Sequence, residues 1–445
     1  MDKARDAAAR VLFEVREKGA YANVSLAQEL RRAGLNDIDR RFCTELVYGT
    51  VKAGDTVDWI LKRYISRPLK KIDPMICAIL RLGIYQLFFL ERVPSSAACN
   101  ESVELAKKYG NAGAVKFVNA VLRSAAREPE KAEFPKGKGH ATEYLALSAC
   151  HPQWLVKHWI KRFGYEETAR LCAFNNQEPV LSLRANTFRS TPDEVMKLLR
   201  GTGAEAEKSL WTPEGILCPS HGALDEFSPL QQGLCQVQDE SSMLVAHVLA
   251  PQAGEFIIDC CAAPGGKTTH IAELMKDQGR IVACDIYEHK LSRIQENAER
   301  LGISCVETML LDAREMGERF PRQADRVLVD APCSGLGVLR RKPDARWNKK
   351  EKDLRNLPIL QQEILESAAK AVKPDGILVY STCTIEREEN QEVVQAFLQA
   401  HPEFSPEKTG AFLPCAKREE DMVQLYPQRD GTDGFFIARM RRSKE

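Results

Sequence analysis

The chain has 445 residues, 44% hydrophobic and 28% charged, a balance that excludes a fibrous or largely disordered protein. Lys and Arg total 63 and Asp and Glu 62, a net charge of +1 that argues against a uniformly polyanion-binding surface. The average hides a polarity: residues 1–140 carry 25 basic and 17 acidic side chains, net +8, and the rest 38 and 45, net −7. A basic front on an acidic body suggests a partner-binding module joined to something else.

The first 127 residues read as successive helices. Val11, Leu12 and Val15 form one apolar stripe, and Phe42, Leu46, Val47 and Val51 another at helical spacing. Ile76, Ile79, Leu80, Gly83, Ile84 and Leu87 mark a central helix with Pro74 near its start, where proline is tolerated. Val115, Val118, Val121 and Leu122 supply a last one, so residues 1–140 are expected to form an all-α bundle. Phe42, Phe88 and Phe89 are expected in its core. Glu128 to Thr142, with prolines, charges and two glycines, reads as a linker. Residues 141–235 read as a small α+β region: helices over Trp154–Phe163 and Asp193–Leu199, strands over Val180–Arg184 and Gly215–Cys218.

From 236 to 445 short apolar runs alternate with helical stretches. Phe256–Ile258, Arg280–Cys284, Val306–Leu311, Arg326–Val329 and Gly376–Tyr380 are buried-strand candidates; Tyr287–Leu301 and Leu360–Val372 are helices between them. Such alternation implies a mostly parallel sheet wound with helices on both faces, with ligands at the carboxyl ends of its strands. The apolar stretch Met75–Leu90 is too short for a bilayer and is broken by Arg81 and Gln86, so no membrane span is expected. The opening Met-Asp-Lys-Ala-Arg shows no apolar signal segment, which points to the cytoplasm. There are 14 cysteines but no Cys-x-x-Cys pair, and only 8 histidines, so neither disulfides nor a metal is expected.

The chemistry-bearing strings fall at strand ends. DCCAAPGGKTT, Asp259 to Thr269, follows the first strand of this sheet and opens a helix. Gly265 and Gly266 permit close backbone approach, and the helix start offers free amides. Asp285 ends the next strand, Asp312 the third and Asp330 the fourth. The dinucleotide fingerprint G-x-G-x-x-G is absent. Gly266-Lys267-Thr268 supplies half of a phosphate-binding P-loop, and Val327-Leu328-Val329-Asp330 resembles its partner strand. Yet Cys261 stands where the first P-loop glycine belongs, and Pro264 removes a donor. S-adenosylmethionine, with a ribose and adenine suited to Asp285 and Asp312, is the third reading; an ordinary tight turn is the fourth.

Cys333, in DAPCSGLG, and Cys383, in YSTCT, each lie just past a strand and are flanked by Ser and Thr. One such cysteine is more often an inert buried thiol than a nucleophile; two at matching strand ends favour chemistry. A thiol is what methylation of a pyrimidine carbon 5 needs. That carbon is a poor nucleophile until a thiolate adds to carbon 6. Asp330 is placed to hydrogen-bond the ring nitrogen. Arg340, Arg341, Lys342, Arg346 and Lys349 follow the Cys333 loop, with Trp347 among them, and suit RNA phosphates.

DCCAAPGGKTT, DAPCSGLG with RRKPDARW, and YSTCTIEREEN resemble the RNA (cytosine-5)-methyltransferase family, often called Nol1/Nop2/Sun. The likeness runs from about Pro179 to the C-terminus and includes QDESS (Gln238–Ser242) and DGFFIARM (Asp433–Met440). The helical front resembles a NusB-type domain. The resemblance implies a Rossmann-like class I methyltransferase domain behind a NusB-like RNA-binding bundle, acting on small-subunit (16S) ribosomal RNA as a monomer. It further implies Cys383 as nucleophile and Cys333 as the cysteine that assists adduct breakdown. Cys261, Ala262, Ala263, Pro264, Gly265, Gly266 and Lys267, with Asp285, Asp312 and Asp330, would hold S-adenosylmethionine. Arg184 and Asn186 resemble a substrate-side motif of the family and would join the basic run as RNA contacts.

Overall fold

The computed structural model describes residues 2–137, 139–220, 227–415 and 417–444. The chain forms two compact units, one of 1–176 with 342–349 and one of 177–341 with 350–445. No helix among the described residues is long and apolar enough to cross a membrane.

The first unit is helical. Its main helices are Lys3–Glu17, Ala22–Arg32, Asp37–Leu61, Pro74–Phe89, Ser95–Tyr109 and Ala112–Arg127, followed by Ala141–Ser148, Gln153–Phe163 and Tyr165–Asn176. Several begin where side chains satisfy the free amides of a first turn. Asp2 accepts from Arg5 N, Asn36 from Asp39 N, Asn111 from Ala114 N, and Asp73 from Met75 N and Ile76 N ahead of Pro74. Leu46, Val47, Ile79, Leu80, Ile84, Val118 and Leu122 meet in one core, with Phe42, Phe88 and Phe89 half-buried against it. The helices between Ala141 and Asn176 group with this unit.

The second unit holds two sheets. In the smaller, β1 (Leu181–Ala185), β2 (Glu207–Lys208), β3 (Gly215–Cys218) and β4 (Cys235–Val237) lie in the order β2-β3-β1-β4, all pairs antiparallel. The larger contains β5 (Phe256–Asp259), β6 (Arg280–Asp285), β7 (Val306–Leu310), β8 (Ala324–Asp330) and β9 (Val372–Thr382). It is completed by β10 (Phe404–Pro406), β11 (Met422–Leu425) and β12 (Phe435–Arg442). Its order is β10-β12-β9-β8-β5-β6-β7, with β11 on β12. Strands β5 to β9 pair in parallel, whereas β12 runs antiparallel to β9, β10 and β11. The expected parallel sheet is therefore a mixed one. β12 comes back along β9 in the opposite direction and buries Phe436, Ala438 and Met440 in the core.

Chain order reverses at β5, which has β6 on one side and β8 on the other. In a doubly wound sheet a crevice opens at the carboxyl ends at such a point. The loops after β5, β8 and β9 all leave the sheet there.

Candidate active site

The loop after β5 is built to bring backbone close to a ligand. Gly265 has φ +94°, and a Cβ there would lie 3.2 Å from Ile294. The helix Gly266–Leu274 starts at this glycine with no side-chain cap, so its first amides are left to other partners. Asp259 is buried; one carboxylate oxygen accepts from Thr268 Oγ1 at 2.7 Å and the other has no hydrogen-bond partner. Burial pushes Asp259 up to about 7.

Asp285 ends β6, accepts from Tyr287 N at 3.1 Å and faces Lys290 Nζ at 3.4 Å. Leu310 is in register with Asp285 on the neighbouring strand. Leu310 (57% exposed) and Ile286 (52%) are apolar side chains left open at this end of the sheet. Sequence reasoning missed both; Ile286 directly follows the strand-end acid Asp285, which is a signal that could have marked it, whereas Leu310 lies within an apolar run before Asp312 and carries none. Asp312 caps the turn Ala313–Glu315 and is gripped by Arg314, whose hydrogen bonds lower its pKa. The donor set fits a nucleoside: carboxylates for ribose hydroxyls, open apolar surface for a base, and an unpartnered buried oxygen beside a glycine cradle.

The two cysteines come together. Cys333 Sγ and Cys383 Sγ are 3.3 Å apart. The β8 and β9 loops that carry them are stitched to each other. Ala331 N donates to Ser381 O at 2.9 Å and Gly337 N to Cys383 O at 3.1 Å. Ser334 Oγ and Thr384 Oγ1 share a hydrogen bond of 2.8 Å, and Glu389 accepts from Ser334 N at 2.8 Å. Gly337 is required by close approach, since a Cβ there would fall 2.0 Å from Gly434 O. Both thiols are half-buried, and nine of the other twelve cysteines are buried.

Lys267 and Asp330 complete the cluster. Lys267 Nζ donates to Asp330 Oδ2 at 2.7 Å, and Ser381 Oγ donates to Asp330 Oδ1 at 2.8 Å. Burial lowers the Lys267 ammonium, but Asp330 outweighs it and the charge of Cys383 adds to the effect, so its pKa lies above the usual lysine range. Lys267 is thus engaged by a carboxylate, not aimed at a phosphate cradle. The hydrogen bond with Cys383, then burial, hold the Cys333 thiol well above the usual range.

Most of the expected RNA contacts are placed elsewhere. Arg184 is 0% exposed and bonds Glu273, Gly266 O, Thr269 and Gln238. Asn186 is buried and donates to Gly233 O and Leu301 O. Arg340 lies against Asp433, and Arg341 bonds Asp433, Asp239 and Val180 O. Within the first unit Arg346 is buried and donates to Cys150 O, Asn175 O and the Asn176 side chain. Trp347 fills the break at Gly54 in the helix Asp37–Leu61 and donates to Lys52 O at 3.2 Å. These side chains are internal struts, most of whose donors already have acceptors within the protein, so the structure gives them a packing role where phosphate contact was expected. Lys342 is exposed.

Comparison with known proteins identifies each region of the chain. The family described as 16S rRNA methyltransferase RsmB/F matches residues 246–441, the NusB family residues 2–127, and the ferredoxin-like domain of RsmF/B-like methyltransferases residues 151–224. A probable ribosomal RNA small subunit methyltransferase B of Bacillus subtilis is 40% identical over 98% of both chains. The corresponding enzyme of Erwinia tasmaniensis is 33% identical over 99% of both. Among solved structures, that of PH0851 superposes with a TM-score of 0.86 at 28% identity over 99% of each chain. NSun6 from Pyrococcus horikoshii, solved with SFG, reaches 0.59 at 25% identity, covering 66% of this chain and 99% of its own. With a helical NusB domain, a ferredoxin-like region and a mixed methyltransferase sheet in one chain, and relatives matched end to end, the protein belongs to the RsmB/F family of 16S ribosomal RNA methyltransferases.

Proposed function

We propose that the protein transfers a methyl group from S-adenosylmethionine to carbon 5 of a cytosine in small-subunit ribosomal RNA through a covalent adduct on Cys383. The observation that carries this reading is the pair of sulfurs 3.3 Å apart, beside the Lys267–Asp330 ion pair. The glycine loop, Asp285 and Asp312 would hold the cofactor, with Ile286 and Leu310 against its adenine. When bound, S-adenosylmethionine supplies an electrophilic methyl group.

The side chains then divide the work. The Lys267 ammonium favours the thiolate of Cys383. That thiolate adds to carbon 6 of the cytosine, and the ring's double-bond electrons move to carbon 5, which becomes the nucleophilic carbon. As thiolate addition places negative charge on the ring, N3 takes up a proton from solvent, and the Asp330 carboxylate, still 26% exposed, accepts a hydrogen bond from the resulting N–H and stabilises the adduct. Release requires loss of the carbon-5 proton and expulsion of the Cys383 sulfur, which restores the double bond. Cys333 serves this second step. While Cys383 carries charge, it holds the Cys333 proton in place. Once Cys383 is a neutral thioether that influence is gone, and the Cys333 proton is held only by burial and the charges of Glu389 and Asp330, so it leaves more readily when a base is needed. Lys342, together with the basic front of the chain, remains for RNA phosphates.

The test is methylation of unmodified 16S RNA with labelled S-adenosylmethionine, followed by nucleoside analysis. 5-Methylcytidine is expected. A different methylated nucleoside overturns the carbon-5 assignment, and no methylation at all favours a non-enzymatic assembly factor. S-Adenosylmethionine should also raise the melting temperature, whereas a nucleoside triphosphate with Mg²⁺ should not.

A further inference from the structure

We propose that Glu214, His247 and His270 form a binding site for one divalent transition-metal ion of the zinc class, separate from the methyl-transfer site. The three residues come from three elements of the second unit: the turn before β3, the helix Glu240–Leu249 and the helix Gly266–Leu274. Their ligand atoms all lie within 4.8 Å of one another. Nε2 of His247 is 2.9 Å and Nε2 of His270 3.1 Å from the same oxygen, Glu214 Oε1. Tetrahedral zinc with bonds of about 2.0–2.2 Å holds its ligand atoms roughly 3.3–3.5 Å apart. The two nitrogen–oxygen pairs would therefore open by roughly half an ångström or less to accommodate the ion.

The cluster has an unmet need that an ion meets. His270 is 1% exposed, and neither of its ring nitrogens makes a hydrogen bond, although Nε2 stands 3.1 Å from Glu214 Oε1. Glu214 is likewise buried; its Oε1 shares a hydrogen bond of 2.9 Å with His247 Nε2, and although burial opposes it, the two imidazoles hold the carboxyl well below the usual carboxylate range, as a bound cation would. The neighbouring cation, Arg184, is already taken by Glu273, one turn beyond His270 on the same helix, at 2.8 Å. Two imidazoles and a carboxylate suit zinc; magnesium and calcium prefer oxygen donors throughout. His247 is the less buried of the two histidines, which leaves an open side for water as a fourth ligand.

Bound metal would tie the lead-in to β3 to the helix that begins at the cofactor loop. Its effect would be to brace that helix from behind, with no part in the chemistry. The positions 214, 247 and 270 follow no metal-binding spacing, because each ligand is delivered by a different element.

The experiment is a Co²⁺ titration of the full-length, chelator-treated protein at neutral pH, followed by melting with and without Zn²⁺. One equivalent of Co²⁺ should bind with visible d–d bands and no near-ultraviolet thiolate charge-transfer band, and Zn²⁺ should raise the melting temperature. His247→Gln, at the more accessible ligand, should weaken binding by more than about 100-fold, beyond what loss of a merely supporting residue does. It should also melt as metal-free wild type does, which separates a lost ligand from a lost fold. No binding, a thiolate band, or unchanged affinity in His247→Gln and Glu214→Gln would overturn the proposal.

Discussion

The loop after β5 and the basic run that begins at Arg340 put their polar residues to opposite uses. In the first, short side chains sit at the carboxyl ends of strands and stay on the ligand face. Asp259 keeps an unpartnered oxygen, Asp285 ends β6, and Lys267 reaches only as far as Asp330. In the second, long guanidinium groups turn inward. Arg341 bridges Asp239 and Asp433, and Arg346 is buried among three acceptors. A strand end fixes where a short carboxylate or thiol can point. An arginine has reach and five donors, so its partners are decided by tertiary structure.

Substitutions can break that contrast. The largest effect is expected at Arg184→Met, which keeps the volume but leaves Glu273 charged and buried without its partner. Denaturant unfolding should show a loss of about 3–5 kcal/mol. Arg346→Met should cost about 2–3 kcal/mol, since it strands buried acceptors in the helical unit. An Arg346 variant of wild-type stability with weakened RNA binding would restore the phosphate-contact reading. Asp259→Asn sharpens the other side of the comparison. Its carboxyl titrates near 7 in the fold against about 4 unfolded. The native state therefore holds the extra proton, and this group's contribution to stability is lost as pH rises from about 4 to 7. Relative to wild type, Asp259→Asn should become progressively more stable across that window. The smallest effect is expected at Lys342→Ala: stability within about 0.5 kcal/mol of wild type. RNA affinity should weaken, with the salt slope reduced by about one.

Legibility in the sequence followed the same division. The strands from β5 to β9 were visible because each is a short apolar run, and the helices of the front because their apolar residues recur every three or four positions. β12 was visible only through the string DGFFIARM, and the two- to four-residue strands β2, β10 and β11 carry too few residues to show a period. The helix Tyr165–Asn176 went unread because Glu166, Glu167 and Arg170 dilute the apolar face formed by Leu171 and Cys172. Cys333 and Cys383 were legible as residues, but their 3.3 Å approach is a product of β8 and β9 being neighbours. The Lys267–Asp330 pair joins residues 63 apart and leaves no sequence trace.

The central claim is that Cys383 forms the bond to RNA and Cys333 breaks it. Incubating each alanine variant with 16S RNA and S-adenosylmethionine, then looking for a denaturation-resistant protein–RNA complex, tests it directly. Cys333→Ala should accumulate the complex, and Cys383→Ala should show neither complex nor methylation. A complex in Cys383→Ala that is absent from Cys333→Ala would contradict the assignment.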